Sequence, residues 1–380
     1  MDVDMFRSTP RRLHAALFAC LACIGNACLA DARSADGEFR DRYDSGARLQ
    51  QVGEGVYAII HADATEEWPH GNTGIVVGED AVLVVDSTYL PARARADIAL
   101  IRSITRKPVR YLVNTHWHGD HTHGNGVYRD VFPGIAIVGA RGNAPLIALN
   151  QARYPRSALA SDSAKRKALA ALQASRASGK SDDGKTLDAE ALRKLDNNIR
   201  LRGIELAEFG KIAIAAPDLL FDGAMELDLG RRRVVLTDQG PGNSPHDVTI
   251  LVPDQRILFT GDLVVRPVPF VINTSPRPWI ATLRSIEAMP LTALVPGHGP
   301  VMHDLDYVAQ LRNLLETAQS RVEAELLQGA SLDEVQKRVK LEDLRAAFVP
   351  PDNADAAAQW DYDIKGLLKD TWNCSVGYNC

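Results

Sequence analysis

Apolar and polar positions change their period several times along the chain, and each change marks an element. From Leu49 to Ile60 (LQQVGEGVYAII) they alternate around a glycine, and TGIVVGEDAVLVVDS (73–87) holds two apolar runs broken by Gly-Glu-Asp. Both stretches read as strands, because a period of two sends successive side chains to opposite faces of a sheet. ARARADIALIRSI (92–104) shifts to helical spacing through Ile98, Ile101 and Ile104. VRYLVNTH (109–116) then reads as a buried strand.

Between about 145 and 212 the chain turns rich in Ala, Lys, Arg, Ser and Asp, with a helix-like stretch on either side of GKSDDGK (179–185). In the second stretch Leu192, Leu195, Ile199 and Leu206 share one face. This segment is predicted to be a helical insertion that shapes or covers a pocket, or one that only packs on the scaffold. Strand patterning returns in LLFDGAMELDLG, in RRRVVLTDQG and in VTILVPDQRILFTGD (248–262), a hairpin turning at Pro253-Asp254. The remainder is helical. Val308, Leu311, Leu315, Ala318, Val322 and Leu326 form a stripe ending before Gly329, and Ser331 with Glu334 predicts a capping box. Two β-rich parts each followed by helix predict an α/β protein whose halves meet at one site.

Composition narrows the function classes. The 380 residues are 46% hydrophobic and 24% charged, with a formal net charge of -5 and no long basic run. This is a soluble profile without the footprint of a nucleic-acid binder, and it favours a small-molecule substrate. Residues 1–32 are different: Arg7, Arg11 and Arg12 precede the apolar stretch AALFACLACIGNACLA, and Ala30-Asp31-Ala32 fits a small-x-small cleavage site. They predict a secretory signal, and hence a secreted or periplasmic protein with no stable membrane insertion after cleavage. The alternative, an N-terminal anchor, needs a longer apolar run than this one, since about 20 residues span a bilayer. Cys20, Cys23 and Cys28 lie in the signal, leaving Cys374 and Cys380 in CSVGYNC. In an oxidising compartment these two are expected to form a disulfide pinning the C-terminus, against the alternative of two free thiols.

The candidate chemistry follows the strand at 109. NTHWHGDHTHGNG (114–126) gathers His116, His118, Asp120, His121 and His123 in a chain of ten histidines. A His-x-His pair at a strand end can turn two imidazoles into one cavity, while Asp120 and His121 reach a neighbouring one. Imidazole nitrogen and carboxylate oxygen are donors that zinc favours. Further donors stand beside other strands: His246 in GPGNSPHDVTI, Asp262 in ILFTGD and His298 in LTALVPGHGP. Any one of these histidines alone would more often be solvated or packed; together and in this order they predict a metal site.

THWHGDH, His246, FTGD and PGHGP, in that order over roughly residues 48 to 305, resemble the metallo-β-lactamase superfamily. The resemblance implies a four-layer αββα sandwich as catalytic domain (48–305, with the insertion at 145–212), followed by C-terminal helices and a cysteine-containing tail (306–380). It implies two Zn(2+) per chain: His116, His118 and His246 on the first, Asp120, His121 and His298 on the second, and Asp262 bridging. Asp86, ending AVLVVD, resembles the aspartate that orients the ligand loop from behind. His123 is expected to be a hydrogen-bonding neighbour of the ligands, and Trp117 a packed anchor. His70, in EEWPHGNTG, and Arg266 lie on loops expected to flank the mouth and touch substrate.

The implied reaction is hydrolysis of a small ester, thioester, lactone or amide by a hydroxide held between the metals, with Asp120 orienting that nucleophile or taking its proton. Dedicated β-lactamases of the fold usually carry Cys or Ser where this chain has Asp262; an aspartate bridge resembles broader hydrolases such as glyoxalase II. Alternatives are a metallo-β-lactamase acting on β-lactam antibiotics, an iron-dependent sulfur dioxygenase on the same fold, and a non-enzymatic metal-binding protein.

Overall fold

The computed structural model of the chain describes residues 47–61, 70–153, 163–181 and 183–378. The expected signal at 1–32 lies outside the described residues. No described helix is long and apolar enough to cross a membrane.

Two sheets carry the fold. Seven strands, β1 (Arg48–Gly53), β2 (Val56–Ile60), β3 (Thr73–Val77), β4 (Val82–Val85), β5 (Val109–Val113), β6 (Ala136–Ala140) and β7 (Leu219–Phe221), lie side by side in chain order. The first four pair antiparallel and β4 to β7 pair parallel. The second sheet runs in the order β12-β11-β10-β9-β8, from β8 (Ala224–Asp228), β9 (Arg233–Asp238), β10 (Val248–Val252), β11 (Ile257–Phe259) and β12 (Ala293–Val295). Both hairpins expected from the alternation are present.

Strand patterning decides the layers. Ala58, Val76, Leu83, Val85, Val113 and Val138 face inward and meet Val234, Leu236, Val248, Ile250, Val252 and Phe259 of the second sheet. Their alternates Ile59, Ile75, Val82, Val84, Leu112 and Ile137 face outward against Ile98 and Ile101 of helix α1 (Pro91–Ile104), and against Val127 and Tyr128. The second sheet's outer face is covered by α7 (Pro276–Glu287), α8 (Asp306–Leu326), α9 (Leu332–Arg338) and α10 (Ala354–Ser375), which share a cluster with Leu258 and Leu294. Burying both faces of each sheet explains why the strands read as nearly continuous apolar runs. The result is the layered α/β sandwich expected from the sequence.

The C-terminal elements follow their patterns closely. Val308, Leu311, Leu315, Ala318 and Val322 are buried along α8, and both halves of the Ser331/Glu334 capping box are made. Cys374 is disulfide-bonded; its expected partner Cys380 lies outside the described residues.

Among the described residues, three α-helices stand between β6 and β7: α4 (Asn143–Arg153), α5 (Ser163–Ser178) and α6 (Ala189–Glu208). On α6 the face of Leu192, Leu195, Ile199 and Leu206 is only half-buried. The face that docks carries Leu201, which clusters with Leu90, Phe209 and Ile212, flanked by buried Glu205 and Glu208. Lys165 pairs with Glu205 and Lys211 with Glu208, so carboxylates enter a face that a purely apolar criterion rejects.

Candidate metal centre

The site gathers past the C-terminal ends of β4 and β5, parallel neighbours in one sheet, and of β11 and β12, parallel neighbours in the other. After β5 the chain leaves the sheet at Asn114 and enters α3 (Asn125–Val131) at Asn125. These two asparagines exchange amide hydrogen bonds of 3.1 and 2.8 Å, closing the loop across its base. Within it α2 (Gly119–Thr122) carries Asp120 and His121.

Two groups of donor atoms form, each within 4.8 Å: His116, His118 and Asp262, and Asp120, His121, Asp262 and His298. Asp262 belongs to both. Its Oδ2 lies 3.6 Å from His116 Nε2, and its Oδ1 lies 3.2 Å from His121 Nε2 and 3.4 Å from His298 Nε2. Asp120 Oδ2 is 3.1 Å from His298 Nε2 and 3.3 Å from His121 Nε2. Gly297 permits this convergence, since a Cβ there would meet Asp262 Oδ1 at 2.0 Å.

Asp86 stands behind the group as expected, in a left-handed conformation (φ 60°) just past β4. Its Oδ2 faces His121 Nδ1 at 2.8 Å and accepts from Thr115 Oγ1 at 2.8 Å, while its Oδ1 accepts from the Thr115 amide. With its proton given to Asp86, the Thr115 hydroxyl is left to accept from His116 Nδ1, 3.0 Å away. One carboxylate thereby orients two rings and turns both Nε2 atoms toward the group. His118 differs, presenting Nδ1 toward His116 Nε2 at 2.9 Å.

The electrostatics suit a cation. Burial holds the His116 and His118 imidazoles below their usual range, so both are neutral donors. For Asp120 and Asp262 burial opposes ionisation, but the imidazoles of His121 and His298 outweigh it and hold both carboxyls well below the ordinary range. Burial likewise opposes a proton on His298, yet Asp262 and Asp120 raise it to about 9; His121 is raised by the same carboxylates with Asp86. Protons occupy the place of positive charge between two carboxylates. Asp262 Oδ1 is buried and makes no well-formed hydrogen bond despite the imidazoles around it. A buried carboxylate oxygen without a well-formed hydrogen bond, set between imidazoles, is a donor that could hold a cation.

His246 is brought into neither group. Its Nδ1 lies 3.0 Å from Asp238 Oδ2 at the end of β9, its backbone oxygen accepts from Asn143 and Ser244, and its side chain is 37% exposed. The ring packs so closely on Gly142 that a Cβ there would meet Nε2 at 2.1 Å. His123 is buried beside the ligand loop, its ring stacked on Tyr89 at 5.4 Å, and burial lowers it to about 4. His70 is buried with Nδ1 3.1 Å from Thr88 Oγ1. Arg266 lays its guanidinium over the Tyr307 ring at 4.8 Å, while its backbone amide donates to His298 O. Trp117 lies beside His118, and its carbonyl accepts from Asn150 of α4, tying the insertion to the ligand loop.

Residues that carry geometry without carrying metal were missed in the sequence: Asn72, Thr115, Asn125 and Asp238. The asparagines bounding NTHWHGDHTHGN were a usable signal for the loop base; a lone aspartate at the end of RVVLTD was not.

A layered α/β sandwich whose two sheets bring His and Asp donors together has the architecture of a protein that could hold metal ions. The model of the metallo-beta-lactamase superfamily matches residues 67–298, more than half of the sequence, and the chain belongs to that superfamily. A linear primary-alkylsulfatase from Pseudomonas sp. (strain ATCC 19151) is 22% identical over 288 residues, covering 73% of this chain and 51% of that protein. The stereoselective inverting sec-alkylsulfatase Pisa1 from Pseudomonas sp. shares the fold with a TM-score of 0.56 at 15% identity, over 88% of this chain and 51% of that one. A metallo-beta-lactamase from Pontibacter korlensis reaches a TM-score of 0.48 at 16% identity, over 71% and 99%. The chain spans about half the length of the alkylsulfatases it matches.

Proposed function

We propose that the chain is a hydrolase using two divalent cations, zinc by its donor set, to cleave a small ester, with alkyl sulfate esters the favoured class. The observation that carries the reading is Asp262, whose two oxygens serve two donor groups at once. Bound there, such cations would supply Lewis acidity and a nucleophilic hydroxide at neutral pH.

The chain's own residues divide the remaining work. Asp86 orients His121 directly and His116 through Thr115, so that neither ring must reorganise during turnover. Asp120, at 14% side-chain exposure, is the most accessible carboxylate of the set and is the group to orient the nucleophile or accept its proton at Oδ2. His246, held by Asp238 and half-exposed, faces substrate rather than metal in this reading. The sulfate preference rests on the alkylsulfatase relative rather than on any pocket feature.

A panel of alkyl sulfates, carboxylic esters, thioesters, lactones and β-lactams, run on zinc-loaded and chelated protein with metal analysis, tests the proposal. Zinc-dependent release of inorganic sulfate is expected. One iron per chain with oxygen uptake would replace the reading with a dioxygenase, and turnover of β-lactams alone would replace the substrate class. His246→Ala is expected to keep both metals and raise KM; loss of one metal would return His246 to the ligand set.

A further inference from the structure

Resting on the two-metal reading above, we propose that Asn72 is a positioning residue that clips together the two loops supplying the Asp120, His121 and His298 donors. Neither loop is attached to the other by sequence, since one follows β5 and the other follows β12 in the opposite sheet. The segment 70–72 runs between them. On one side the Gly71 amide donates to Asp120 O at 3.2 Å, and Gly71 lies so near the His121 ring that a Cβ would meet Cε1 at 2.5 Å. On the other side Asn72 reaches three carbonyls that bracket His298: its backbone amide donates to Gly297 O at 2.7 Å, and Nδ2 donates to Pro296 O at 3.0 Å and Gly299 O at 2.8 Å. Its Oδ1 accepts from the His61 amide at 3.3 Å at the end of β2, anchoring the clip to the first sheet.

The residue type follows from this count. The site asks one buried side chain for two donors and one acceptor, a set that a primary amide supplies. Aspartate keeps the acceptor and turns two donors into a repelling carboxylate, serine has one donor, and glutamine is a methylene too long. At 4% exposure water is a poor substitute for the lost partners. The opposite flank of the His298 loop is held by backbone bonds, from Gly297 to Gly261 and Val264 and from Arg266 to His298. Asn72 is thus the side chain through which the first sheet fixes the place of His298 relative to Asp120 and His121.

The test is metal binding by the full chain rather than turnover. Cobalt(II) titrations followed by ligand-field absorption should show two steps in the unaltered protein, and His298→Ala should abolish one of them. Asn72→Asp and Asn72→Ala are expected to weaken that same step about 10- to 100-fold, the range typical of residues that orient ligands, and to leave the other step within about twofold. If the unaltered protein binds no cobalt, the metal reading itself fails. If it binds and His298→Ala removes a step that both folded Asn72 variants retain at full affinity, the clip alone is overturned. Should the variants not fold, hydrogen exchange on the unaltered protein decides: metal should slow exchange in the peptide holding residues 70–73, which contains no ligand, together with 296–299. Protection confined to 296–299 would refute the coupling.

Discussion

The two donor groups share Asp262 but are built differently. The second is the more closed: His121, His298 and Asp262 are buried with Asp120 alone partly exposed, Asp86 grips His121, and the loop bearing His298 is bonded on both flanks. The first is open: His116 is buried, His118 is only half-buried, and His246 stands apart with Asp238 on the exposed side. Closed coordination holds a metal, whereas a catalytic position keeps a side free for water or substrate. On the proposed two-metal reading, the contrast places retention of metal on the His298 side and encounter with substrate on the His118 side.

The largest expected effect comes from erasing what the groups share. Asp262→Ala should depress metal occupancy at both positions and lower kcat/KM on the order of 10³-fold; metal analysis and steady-state kinetics check it, and loss at one position only would show that the groups are independent. Asp86→Ala should act on the closed side first, weakening metal there about 10- to 100-fold, which calorimetric titration resolves.

A pH series sharpens the contrast further. His298 is raised to about 9 in the metal-free protein. That contribution to stability is fully present below the ordinary imidazole value of 6.5 and is lost as pH rises through about 9. A metal at the closed position must displace this proton and the one on His121, so its affinity should rise by at least about tenfold per pH unit as pH approaches 9. His116 and His118, held low by burial, carry no proton to displace, so the open position should stay nearly flat. Titrations at three pH values with proton-release measurement check this; parallel slopes would contradict it. The smallest effect lies outside both groups: Ser331→Ala should cost about 1 kcal/mol of unfolding free energy by removing a helix cap, without changing metal content.

The strands and the α8 stripe were legible because burial on both faces leaves a continuous apolar run, and burial on one helical face leaves a periodic stripe. His116, His118, Asp120, His121, Asp262 and His298 were legible because each stands on a loop that leaves the C-terminal end of a strand, and the ends of β5, β11 and β12 come together between the two sheets. His246 has the same local signature, yet its position depends on Asp238, eight residues away across a loop, and no period in the sequence records that pairing. The docking face of α6 was misread for a related reason. Glu205 and Glu208 are buried only because Lys165 and Lys211 reach them, a relation visible in space and not in an apolar stripe. Asn72 was passed over because its three partners lie more than 220 residues downstream or on a preceding strand.

Anomalous scattering from zinc-soaked crystals tests the central claim most directly. The account predicts two peaks per chain, one bonded by His116, His118 and Asp262 and the other by Asp120, His121, Asp262 and His298, with His246 still on Asp238. A single peak, no peak, or a peak without Asp262 in its shell would contradict it.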